Sequence, residues 1–130
     1  MARVRVKPYF DRAHLELQAV EINIRENLYT VAVSRSYYAM FYAASGLLAG
    51  IGITRSKHSA LISAFRQHFI KAGLIEAEYG NLIAGGFEAR QESDYDLLSI
   101  IDMEYAAKRY EEAKRFVERL EIYASEAGSL

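Results

Sequence analysis

Three groups of side chains have types and spacing suited to chemistry. The densest runs from Arg90 to Asp96, where one guanidinium, the carboxylates of Asp94 and Asp96 and the phenol of Tyr95 fall within seven positions. Such a group can hold a phosphate, orient a base or receive a modification, and Arg90, Asp94 and Tyr95 are its catalytic candidates. Helix-end chemistry explains the same residues, since arginine favours a last turn and Ser93 or Asp94 the turn that follows. The second group centres on Arg35, flanked by Ser34 and Ser36, with Tyr38 and Tyr42 three and seven positions on. A guanidinium in so apolar a segment needs a carboxylate, a carbonyl, an aromatic face or an anionic ligand. An internal ion pair with a carboxylate of the C-terminal half competes with a nucleotide or anion contact at Arg35 and Tyr38. The third group is Thr54-Arg55-Ser56-Lys57-His58, followed by Arg66, His68 and Lys71. Lys57 and His58 at a helix start, with free backbone N–H groups, suit a phosphate; the commoner reading of such a cluster is a solvated basic face.

Other chemistries lack their residues. The chain has no cysteine, which rules out disulfides, thiolate nucleophiles and cysteine-held metal, and which fits a cytoplasmic protein. His14, His58 and His68 make no metal-ligand spacing, so no metal or cofactor is expected. Gly50-Ile51-Gly52 lacks the third glycine and the preceding strand of a phosphate loop.

The elements that must position these groups read as helices. From Ser36 to Thr54 there is no charge, and from Asn27 to Ile75 no carboxylate. Such a run is a helix buried on nearly all sides or one in lipid. Its tyrosines, serines and glycines lower its hydrophobicity, and the other helices offer an apolar stripe to pack on. The expectation is therefore a buried central helix from Thr30 to about Gly50, with no membrane span. Ahead of it, Pro8 opens a helix with Phe10, Ala13, Leu17, Val20 and Ile24 on one stripe and Glu16 off it, ending near Asn27.

Thr54 or Ser56 caps a third helix with Leu61, Ile62, Phe65, Phe69 and Ile70 inward, ended at Gly73. A fourth carries Ile75, Tyr79, Leu82, Ile83 and Phe87, with Gly85-Gly86 allowing close approach of a neighbour. Residues 91–100 break the pattern. A last helix, from about Asp102 to Ala124, shows a narrow seam of Met103, Ala106, Tyr110, Ala113, Val117 and Leu120. The fold class is all-α, an up-and-down bundle of four to five helices in one domain of 130 residues, with residues 1–7 as a flexible basic arm. Sixteen basic and seventeen acidic residues give a net charge of −1, so the total implies no polyanion partner. The acidic residues gather after residue 75, which could build one basic and one acidic face.

With these residues in view the chain resembles the HEPN-domain family, small helical bundles named for nucleotide binding. The likeness rests on the block from Ala32 to Ala44, the Lys57-His58-Ser59 helix start, Phe65 to Gly73, and Phe87 to Arg90 running into Ser93-Asp94-Tyr95. It implies a homodimer, a minimal nucleotidyltransferase as partner in a toxin–antitoxin couple, and nucleotide or RNA as ligand. It also implies, for many members, metal-independent ribonuclease chemistry by an arginine followed four to six residues later by a histidine. Arg90 matches that arginine, but no histidine follows His68, and the fifth residue beyond Arg90 is Tyr95. A phenol of pKa about 10 is a poor general base at neutral pH. The resemblance makes Tyr95 a candidate for nucleotide addition by the partner. The expected function is a dimeric partner module that binds nucleotide. The alternatives are a ribonuclease in which Tyr95 or His58 replaces the histidine, and a purely structural dimerisation domain.

Overall fold

A computed structural model describes residues 5–95 and 100–130, and nothing of the Tyr95 side chain. Among these residues the chain forms five α-helices and no strand: α1 (Lys7–Arg25), α2 (Tyr29–Gly50), α3 (His58–Phe65), α4 (Ala77–Tyr95) and α5 (Met103–Glu126). The all-α bundle is as the periodicity predicts. α2 is its axis, in contact with each of the other four helices. Its uncharged run is buried by protein, and no described helix is long and apolar enough to cross a membrane.

Local chemistry sets the ends of these helices. α1 and α2 are joined at Asn27, which adopts the left-handed conformation (φ 62°) that asparagine tolerates better than most residues. The Tyr29 hydroxyl donates to the Asn27 side-chain oxygen at 2.8 Å. α3 runs into a π-helical turn, Arg66–Ile70, where the Lys71 N–H reaches the Arg66 carbonyl; Gly73, at φ 75°, ends it. The Asp102 carboxylate accepts from the Tyr105 N–H at 2.8 Å and caps α5.

Five expectations need correction. α3 is capped by neither Thr54 nor Ser56; it begins after Lys57, with no side-chain cap, where His58 is tethered to α2. α4 does not break after Arg90 but continues to Tyr95. Its inward positions there are Ala89 and Ser93, too small or polar to signal burial, and the Ser93 hydroxyl donates to the Thr30 carbonyl at 3.2 Å. Glu16 is not off the stripe: it is 4% exposed, because Arg12 and Arg35 both reach it. Arg35 accordingly pairs with the N-terminal helix and not with the C-terminal half. Met103 lies outside the α5 seam, exposed, while Phe116 and Ala124 join that seam in the core. At the N-terminus, Val6 is already buried against Gly46 and Gly50 of α2.

Close helix approach depends on two glycines. A Cβ on Gly46 would stand 2.7 Å from Tyr9 Cβ of α1, and one on Gly86 2.4 Å from Met40 Cε of α2. The closeness at Gly86 brings the outer turns of α4, with Phe87 and Arg90, against the tyrosines of α2.

Candidate functional site

The site is built on Tyr38, on the half-buried face of α2. The Arg35 guanidinium lies over its ring at 4.8 Å and that of Arg90, from α4, at 5.3 Å; the His58 ring of α3 is 5.9 Å away, edge-on. Three helices therefore bring Arg35, Tyr38, His58 and Arg90 together from positions up to 55 residues apart in the chain. Tyr38 lets the two cations converge, since the ring face attracts guanidinium.

His58 has a built surrounding. Its ring stacks on Phe87 at 5.4 Å and meets Phe41 at 5.0 Å and Tyr37 at 5.4 Å. Its Nδ1 is 2.8 Å from the Tyr37 hydroxyl. Burial first, then the Arg90 charge, hold its pKa below the ordinary 6.5, so the imidazole is neutral at pH 7. The same Arg90 charge bears on Tyr37, but burial and the neighbouring Tyr38 prevail and keep that phenol protonated far above neutrality.

The cations are only partly neutralised. Arg90, 18% exposed, has its Nε 3.2 Å from Asp94 Oδ2. That Nε makes no hydrogen bond among the described residues, so the contact is Coulombic. Glu16 is shared by Arg12 and Arg35, each 3.2 Å from it, and Arg12 continues the stripe by lying over Tyr42 at 5.1 Å. Three guanidiniums thus face two carboxylates along one aromatic strip. A shallow groove of about 340 Å³ between α3 and α4, lined by Ser59, Ser63, Arg66, Phe87 and Gln91, adjoins it at Phe87. A larger groove between α1 and α5, about 460 Å³, has Asp11, Glu21 and Glu118 together with His14 and Lys114 among its lining and contains none of these residues.

Of the residues singled out in the sequence, Arg35, Tyr38, His58, Arg90 and Asp94 come together. Lys57 stands exposed just before α3 and takes no part in these contacts. The side chain of Tyr95 and all of Asp96 lie outside the described residues. Sequence reasoning missed Tyr37, Phe41, Phe87 and Arg12. For Tyr37 one signal existed: a tyrosine deep in an apolar helix needs a partner for its hydroxyl. Nothing in the sequence named His58 as that partner.

This arrangement suits a phosphate, with guanidinium and imidazole N–H groups for the anion. The family model for the HEPN domain matches residues 6–123. The chain belongs to the HEPN-domain family. Among HEPN-like relatives, it is 32% identical over 118 residues to a Methanocaldococcus jannaschii protein named "Putative toxin MJ0605", covering 91% of this chain and 87% of the relative. It is 34% identical over 119 residues to a Thermotoga maritima protein named UPF0332 protein, covering 92% and 85%. A second M. jannaschii protein, "Putative toxin MJ0142", is 32% identical over 113 residues, covering 87% and 77%. The match spans every element of the site.

Proposed function

We propose that this HEPN chain is the toxin-like half of a two-component system, acting as a homodimer in the cytoplasm beside a minimal nucleotidyltransferase. Its ligand is the phosphate of a nucleotide or RNA, held at the cluster of Arg35, Tyr38, His58 and Arg90. The observation that carries this reading is the convergence of two arginines and one histidine on the Tyr38 ring. The toxin names of two relatives, each matched over most of its length, support the toxin-like part. The nucleotidyltransferase partner and the modification of Tyr95 come from the family resemblance.

One observation favours a second reading, that of a metal-independent ribonuclease. The histidine missing after Arg90 has a counterpart in space: His58, contributed by α3, shares the Tyr38 ring with Arg90 and is neutral at pH 7. One preparation separates the two readings. The tagged protein is purified from its native host, analysed by mass spectrometry and incubated with RNA in chelator. A co-purifying nucleotidyltransferase, with a nucleotide-sized mass on Tyr95 and intact RNA, is the result expected of the partner module. RNA cleavage lost in both Arg90→Ala and His58→Gln would make it a ribonuclease. A protein that comes back alone, unmodified and inert to RNA contradicts both.

A further inference from the structure

The Tyr37 hydroxyl is enclosed by the core and meets one hydrogen-bonding group among the described residues, His58 Nδ1 at 2.8 Å. A buried phenol has one proton to donate and requires an acceptor for it. Nδ1 serves as that acceptor only when it carries no hydrogen. A neutral imidazole without hydrogen at Nδ1 carries it at Nε2. We infer that Tyr37 is a positioning residue that fixes His58 as the Nε2–H tautomer, so that the cluster offers an imidazole N–H and guanidinium N–H groups and is selective for an acceptor-only anion, a phosphate ester.

The inference deepens the phosphate reading and rests on it for the ligand, while the tautomer stands on the Tyr37 contact alone. Nε2 bonds to no described residue and is left for the ligand. Arg35 and Arg90 are donors in every state. Ligands that recognise mainly by donating, such as an exocyclic amine, find no matching acceptor on these three side chains. The lock also bears on chemistry. In this tautomer the Nε2 lone pair is absent, so His58 binds an anion directly but acts as a base there only after its proton moves to Nδ1 and the Tyr37 hydroxyl turns from donor to acceptor.

Nitrogen-15 NMR of the full chain with labelled histidines tests it. The chain has three histidines, and His58→Gln identifies the signals of His58. The expected spectrum near neutral pH has Nδ1 in the unprotonated range and Nε2 in the protonated range. In Tyr37→Phe, which keeps the ring and removes only the hydroxyl, the two shifts move toward each other as tautomers mix. Titration with uridine 5′-monophosphate should move the wild-type Nε2 signal. Hydrogen on Nδ1 in the wild type, or a Tyr37→Phe spectrum unchanged from it, overturns the lock whether or not the nucleotide binds. The stated tautomer with an Nε2 signal indifferent to the nucleotide leaves the lock in place and overturns its ligand, and with it the phosphate reading.

Discussion

At the scale of single residues, the site depends on one ring and one proton. Tyr38 gathers the cations and Tyr37 holds the histidine, and these adjacent residues serve different faces of α2. The sequence marks Arg35 and Tyr38 because a charge or a polar tip in an apolar helix is visible in one dimension, and His58, Arg90 and Asp94 because they fall in dense polar runs. It does not mark their convergence, since His58 and Arg90 are 32 positions apart and share no helix. Glu16 was hidden for the same reason: its burial follows from two arginines, one of them on another helix. The neutral His58 has a consequence for stability. Its pKa in the fold is below the ordinary 6.5 of the unfolded chain, so below that pH the unfolded state takes up a proton that the folded state refuses. The contribution is fully present above pH 6.5 and is lost as pH falls from there. Denaturant midpoints measured between about pH 7.5 and pH 5.5 should therefore drop more in the wild type than in His58→Gln. Equal drops would mean that His58 titrates alike in both states.

At the scale of elements, the closeness of α1, α2 and α4 is what shapes the site, and small residues set it. In a helix interior alanine is favoured over glycine by about 1 kcal/mol. At Gly46 the added methyl would meet Tyr9 Cβ at 2.7 Å, an atom fixed to the α1 backbone, and overpacking of this kind costs about 1–3 kcal/mol. Gly46→Ala should thus gain no stability and lose up to about 2 kcal/mol in urea unfolding. A stabilised variant would show that α1 yields freely. Gly86 differs: its obstacle is the end of the Met40 thioether, which can swing aside. Of the Gly85-Gly86 pair only Gly86 meets a close neighbour, and Gly46 was not singled out in the sequence, while the limits of α2 were legible in its uncharged run and closing glycines. The last turns of α4 were not. Their buried positions are Ala89 and Ser93, and their outward ones are polar, so periodicity there has little amplitude to read.

At the scale of the whole molecule, a net charge of −1 conceals an uneven distribution. Packing α1, α3 and α4 around α2 lines up Arg12, Arg35 and Arg90 on tyrosine rings, opposed by Glu16 and Asp94 alone among the contacts described, while the α1–α5 groove mixes Asp11, Glu21 and Glu118 with His14 and Lys114. A protein of this balance engages a polyanion locally, over a few phosphates, so its affinity should fall with salt by a shallow slope. The central claim is that this cationic aromatic cluster is where phosphate binds. Its most direct test is fluorescence anisotropy of a short, labelled single-stranded RNA in chelator at low salt, with wild-type protein and folded Arg90→Ala. Loss of one charge-assisted contact costs about 1.5–3 kcal/mol, about ten- to a hundredfold in affinity. Saturable binding by the wild type, weakened at least about tenfold in the variant, is the predicted result; no binding, or the same affinity in both proteins, would contradict it.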